Sequence, residues 1–227
     1  MTMQILPTTS TIPMPAETAP QQKWRRRKHA RPEEISKAAL TIFAQKGYAA
    51  ATMADIAALA GITKGTIYLY FRNKEDLFNA LVREHIADKL AEKFNSLEDD
   101  GDDVVRAITH CFDVVTEMVL TDEALALGRI ITAEARNFPE LAQFWRTEVI
   151  DRLLSRITTL MQRGAEAGVI TAVQPEAAAL LCLAPALQSL IWRSTFDFAE
   201  RECPDPRSLM GQQRAIILQG LQGGGRA

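Results

Sequence analysis

Three cysteines in 227 residues (Cys111, Cys182 and Cys203) lie too far apart for a C-x-x-C zinc or redox motif, and their odd number implies no disulfide framework. That usage fits a reducing cytoplasm, the expected location. Twelve glycines and ten prolines are too few for a collagenous or low-complexity chain. No uncharged run exceeds 16 residues, and the one at Ala177–Trp192 is broken by Pro185. It falls short of the roughly 20 apolar residues that cross a bilayer, so no membrane partner is expected. The opening MTMQILPTTSTIPMPAETAPQQ lacks the basic start and apolar core of a secretion signal, and its prolines and threonines read as a disordered tail over residues 1–22. H-E-x-x-H, G-x-S-x-G, the phosphate-binding loop and the dinucleotide glycine pattern are all missing, and only three histidines occur. Catalysis, a cofactor and a metal site are therefore not expected.

The net charge of −2 conceals an asymmetry. Residues 1–80 hold 11 Lys/Arg against 6 Asp/Glu, and residues 81–227 hold 15 against 22. Lys23, Arg25, Arg26, Arg27, Lys28 and Arg31 fall within nine residues that contain no acid. A basic front and an acidic back suggest that one part of the chain meets a polyanion and the other does not.

From Pro32 onward the pattern is helical. Ile35, Ala38, Ala39, Ile42 and Phe43 recur at one face of a 3.6-residue period. Pro32 suits the first helical position, and Gly47 supplies a left-handed stop. Thr52 can cap the N–H of Asp55, opening a helix whose apolar face is Met53, Ile56, Ala57 and Ala60. Gly61 stops it, Ile62 packs back, and Thr63 caps a third helix expected over Lys64–Tyr70. Two short helices joined by a glycine-bearing turn are a helix-turn-helix. A long helix from Glu75 to about Leu97, an acidic loop at 98–103, and helices near 103–120, 123–136, 140–167, 175–199 and 206–221 complete the reading; no strand and no internal repeat is expected.

In a helix-turn-helix the second helix enters the major groove. Here its start carries Thr63, Lys64, Gly65 and Thr66: free N–H groups that favour anions, a cation beside them, and a glycine that lets the backbone approach closely. Ile67 and Phe71 face the core, so Tyr68 points away from it and Tyr70 ends the helix, both phenols able to bond a phosphate. The arm Arg25, Arg26, Arg27 and Lys28 can follow the phosphate backbone or enter the minor groove.

The stretch TMADIAALAGITKGTIYLYFRNKEDLF (Thr52–Phe78) resembles the DNA-binding signature of TetR-family transcriptional regulators. The resemblance implies an all-α homodimer: an N-terminal three-helix helix-turn-helix DNA-binding domain followed by a larger helical ligand-binding and dimerisation domain. It implies DNA contacts, mostly at phosphates, from Thr52, Thr63, Lys64, Tyr68, Tyr70 and Lys74, while Leu69 falls where the family varies. RIITAEARNFPELAQFW (Arg129–Trp145) resembles the regulatory domain of multidrug-efflux repressors of the AcrR or AefR type. The expected organisation is a tail at 1–22, arm and DNA-binding domain at 23–78, ligand-binding and dimerisation domain at 79–222, and a flexible tail at 223–227. The expected partners are a palindromic double-stranded DNA operator and a small hydrophobic or amphipathic inducer that releases it.

Candidate pocket walls are Phe94, Phe112, Met118, Phe138, Phe144, Trp145 and Met161, with His110, Thr116, Glu134 and Arg136 as polar candidates. The uncharged helix at Ala177–Trp192 must be buried, and with the final helix it is expected to form a two-fold interface through Leu180, Leu183, Ala184, Leu187, Leu190, Ile191, Ile216 and Ile217. A transcriptional activator of the same fold reads identically. A dimeric small-molecule-binding protein with a vestigial helix-turn-helix is the rival that the Lys64, Tyr68, Tyr70 and Lys74 set disfavours.

Overall fold

Gly47 shows how closely local chemistry shapes the front of the molecule. In the computed structural model, which describes residues 31–95, 103–170, 174–195 and 205–223, helix α1 (Arg31–Ala50) is interrupted at Gly47 by φ 74°, ψ 165°. The positive φ expected there is present, and it turns the chain so that Tyr48 is buried. Ile35, Ala38, Ala39, Ile42 and Phe43 form the buried stripe of α1, as their spacing requires.

Helix α2 (Met53–Leu59) opens on Thr52, whose hydroxyl accepts the Asp55 N–H at 3.1 Å while the Asp55 carboxylate accepts the Thr52 N–H at 3.1 Å. This reciprocal box satisfies two helix-end donors at once. At the other end Gly61 takes φ 67°, with Gly61 N–H bonded to Ala58 O (3.2 Å) and Ile62 N–H to Ala57 O (3.0 Å). That is the paired left-handed stop, and Ile62 rests on the core behind it. Thr63 at once caps α3 (Lys64–Ile67) by accepting Thr66 N–H at 3.2 Å. Helix α3 is shorter than expected, because beyond Ile67 the bonds tighten to i→i+3: Leu69 N–H to Thr66 O and Tyr70 N–H to Ile67 O, both 3.1 Å.

The expected long fourth helix is present with an interruption. α4 (Lys74–Val82), capped by Asn73, passes into a π-helical turn (Arg83–Ala87) and resumes as α5 (Asp88–Asn95). Position 78, the expected domain boundary, lies inside α4. The acidic loop falls almost wholly outside the described residues, though Asp103 caps α6 (Val104–Val119). Then come α7 (Asp122–Glu134), α8 (Pro139–Trp145), a second π turn (Arg146–Ile150), α9 (Asp151–Glu166), α10 (Pro175–Thr195) and α11 (Pro206–Gly223). Helix α10 packs on α9, α7 and α11, and α6 packs on α9, so the rear half is a helical bundle. No strand occurs among the described residues.

The two π turns pack against each other. Arg83 of the first reaches Glu148 of the second at 3.8 Å and lies over the Phe144 ring at 4.8 Å, and Glu148 is also held by Arg152 at 2.7 Å. Neither turn is expected from the sequence, which reads as uninterrupted helix through both. With residues from both sides of Ala177–Trp192 included, α10 is long and apolar enough to cross a membrane by length and composition, which the uncharged run alone is not. One stripe of it (Ala179, Cys182, Leu183, Ala186, Leu190) is buried in the bundle.

Candidate functional site

The caps that shape the helix-turn-helix consume some side chains and release others. Thr52 Oγ1 donates to Asp55 Oδ2 at 2.8 Å besides accepting its N–H, so this hydroxyl, expected at DNA, is engaged in its own helix cap. Thr63 and Thr66 share a hydroxyl bond of 2.8 Å. Lys64 and Gly65 are exposed. Ile67 is fully buried and Phe71 rests on the core, so the opposite side of α3 faces outward. Tyr68 (45% exposed), Leu69 (82%) and Tyr70 (38%) stand on that outer surface. The arm from Arg25 to Lys28 lies outside the described residues.

Lys74 departs from expectation. Its ammonium donates to the carbonyl oxygens of Tyr48 (2.6 Å), Ala49 (3.1 Å) and Ala51 (2.9 Å), and it sits 4.4 Å from the Tyr48 ring centroid. All three of its hydrogens are thus directed at carbonyls at the C-terminal end of α1 and just beyond it. Partial burial holds its pKa below the usual lysine value. Nothing local signals this, because the carbonyls lie 23 to 26 residues upstream. Asp55, held by Lys46 at 2.8 Å and by Thr52, keeps its carboxyl below the usual range.

Behind this unit the bundle forms a partly open apolar cavity of about 50 Å3. Ile86 of the first π turn, Leu90 of α5, Val115 and Met118 of α6, Trp145 of α8, Val149 and Ile150 of the second π turn, Leu153 of α9, and Leu183, Ala186 and Leu190 of α10 contribute to its wall. None of its lining residues carries a charge, hydroxyl, amide or carboxylate.

These features fit the comparisons with known proteins. The family model for bacterial regulatory proteins of the tetR family matches residues 35–81, and the model for the C-terminal domain of AefR-like transcriptional repressors matches residues 107–213. An uncharacterized HTH-type transcriptional regulator of Bacillus subtilis, YfiR, is 30% identical over 156 residues, 65% of this chain and 72% of the relative. The chain belongs to the TetR family. The fatty acid metabolism regulator protein of B. subtilis is 29% identical over 63% of this chain and 73% of that protein. The fatty acid degradation regulator FadR from Bacillus halodurans, a solved structure, aligns at TM-score 0.66 and 25% identity over 87% of this chain and 99% of that one.

Within this TetR-family regulator, two of the eleven expected pocket residues, Met118 and Trp145, line the apolar cavity. The others lie elsewhere: Glu134 lines a cleft of about 430 Å3 between α1 and α7, and Phe112 and Thr116 line one of about 270 Å3 between α6 and α11. Phe94 packs on the core from α5, and Met161 is core. His110 bonds the Lys93 carbonyl through Nε2 at 3.3 Å. Phe112 lies in a second, smaller gap beside Cys111 and Cys182, two thiols that burial raises to about 11 and about 12. Thr116 donates to Phe112 O at 2.6 Å inside its own helix. Glu134 accepts the Ala49 N–H at 3.2 Å, tying α7 to the end of α1, and Phe138 meets the Tyr48 ring edge-on at 5.0 Å. Phe144 lies under Arg83, and Arg136 is exposed. Aromatic spacing marked core and joints as readily as pocket.

The expected interface residues also divide. Leu180 (57% exposed), Leu187, Ile191 and Ile216 (69%) face outward, as does Ala184, and they are joined by Leu181 and Trp192. Leu183 and Leu190 point inward to the cavity, and Ile217 rests against the core. An uncharged helix carries no polar face to tell its two sides apart, and the bundle takes every third or fourth residue.

Proposed function

We propose that this TetR-family regulator is a homodimeric repressor that binds a palindromic operator and is released by a small hydrophobic inducer. The observation that carries the reading is the outer surface of α3: exposed Lys64, Gly65, Tyr68, Leu69 and Tyr70 opposite a buried Ile67, on a helix pinned by caps at both of its neighbours. Such a surface suits a major groove, with Lys64 and the tyrosines bonding phosphates and the basic arm reaching further along the duplex. The exposed apolar stripe of α10 and α11 is the surface a symmetry mate would cover.

The wholly apolar cavity suits a ligand with a hydrocarbon body. The names of the fatty acid regulators among its relatives make long-chain acyl compounds the first to try. At about 50 Å3 the cavity must widen to hold one, since ligand pockets commonly span roughly 300–1,000 Å3. Widening pushes on Ile86 and Leu90, which belong to the helix continuous with α4 and hence with the DNA-binding unit. A ligand that binds only the widened state shifts the population away from the DNA-bound one. Coupling of about 1–3 kcal/mol would weaken the operator complex by roughly 5- to 150-fold.

The test uses the purified full chain and DNA from around its own coding region in a mobility shift, with and without a long-chain acyl compound, alongside sedimentation. The reading requires a shifted complex, a particle of twice the 25.2 kDa chain, and loss of the shift with ligand. A stable monomer that shifts no DNA would overturn it.

A further inference from the structure

Leu69 is the most exposed of the large hydrophobic residues described, at 82%, yet it stands in the middle of the surface offered to DNA. Counting about 100° per residue in α3 and about 120° in the tighter turn beyond Ile67, Gly65 and Leu69 both lie on the side of this segment away from the buried Ile67. Gly65 has ordinary helical backbone, and a Cβ there would meet only Thr63 Oγ1 at 3.9 Å, so nothing inside the protein calls for a glycine. A bare backbone at the start of α3 and one apolar side chain just past its end, both turned away from the core, leave Leu69 as the outermost apolar group of this surface.

A leucine neither donates nor accepts a hydrogen bond. The one base-edge feature in the major groove that it can distinguish is a C5-methyl group. We infer that Leu69 is a specificity-determining residue that reads a thymine methyl on the floor of the major groove in each half of the operator. This rests on the DNA-binding reading above, and adds which base feature is sensed and by which atoms. Leu69 contributes little to the fold from its exposed position, so its replacement leaves a folded protein.

The experiment first selects the bound sequence from random duplexes with the full chain, then replaces each thymine of both half-sites in turn by deoxyuridine, which differs only in lacking the methyl. Burial of one methyl predicts that uracil at one symmetric pair of positions weakens binding about fourfold per half-site, and is neutral elsewhere in the leucine's reach. Leu69→Ala should bind more weakly than the wild type and show no uracil effect at that pair, while Leu69→Gln should shift the selected base there from thymine toward adenine. Uracil tolerated at every position, or an equal uracil penalty in Leu69→Ala, would overturn the inference. Selection of no sequence at all would instead refute the DNA-binding reading.

Discussion

Replacing Lys74 by methionine keeps the aliphatic stem and removes the three donors. In the folded protein those donors meet the carbonyls of Tyr48, Ala49 and Ala51, of which the bonds to Tyr48 and Ala51 are partly buried and the bond to Ala49 is exposed. Hydrogen bonds to a charged partner contribute roughly 1.5–3 kcal/mol each, and a buried acceptor left unpaired costs about 1–3 kcal/mol. The exposed Ala49 carbonyl recovers water, and the variant no longer has a charge to desolvate. The loss therefore falls on two carbonyls and on the contact with the Tyr48 ring, about 2–4 kcal/mol together. Urea unfolding measures it as a lower midpoint at unchanged slope. The salt dependence of operator binding, read by fluorescence anisotropy, should keep its slope, because no phosphate contact is removed. Wild-type stability combined with a slope reduced by about one would refute the strut and return Lys74 to the DNA.

Gly128→Ala should cost about 1–3 kcal/mol, because the new Cβ would lie 2.4–2.7 Å from the Leu190 side chain where α7 meets α10; Leu190→Ala in the same chain should recover part of it, and additive losses in the thermal midpoints would argue against the contact. Burial holds His85, in the first π turn, below the ordinary histidine pKa; its ring nitrogens have no hydrogen-bond partner, and the Glu84 carboxylate, 4.0 Å from Nε2, offsets the shift only in part. The unfolded chain therefore binds the proton more readily, so stability is complete above about pH 6.5 and declines as the pH falls toward the folded-state value; chemical unfolding at pH 7.5 and 5.5 should show a smaller difference in His85→Gln than in the wild type. Gly65→Glu should leave the far-ultraviolet spectrum and melting temperature nearly unchanged while abolishing the mobility shift, since an anion on the outer surface of α3 faces phosphates; intact binding would show that this surface does not approach DNA.

The helix-turn-helix was legible because each of its signals is local. Thr52, Gly61 and Thr63 act on backbone groups within five residues, and their geometry follows from side-chain chemistry alone. Features built across the chain were not legible. Lys74 looks like any exposed cation until α1 ends beside it, and nothing near Glu134 in the sequence shows that, besides lining a cleft, it takes the Ala49 N–H. Apart from Trp145 and the thioether of Met118 the cavity wall is aliphatic, drawn from helices α5 to α10 and both π turns, so no cluster of aromatics marks it. In α10 the rule that an uncharged helix is buried held for one stripe and left Leu180, Leu181 and Ile191 outside.

The proposed entry of the outer α3 surface into the major groove, once from each of two copies, is open to direct measurement. Dimethyl sulfate footprinting at guanine N7, a major-groove atom, tests it most directly on the selected operator. Two protected patches are expected on one face of the duplex, about one helical turn or slightly more apart, both lost in Gly65→Glu. Protection of a single patch, or a bound complex with every N7 still reactive, would contradict it.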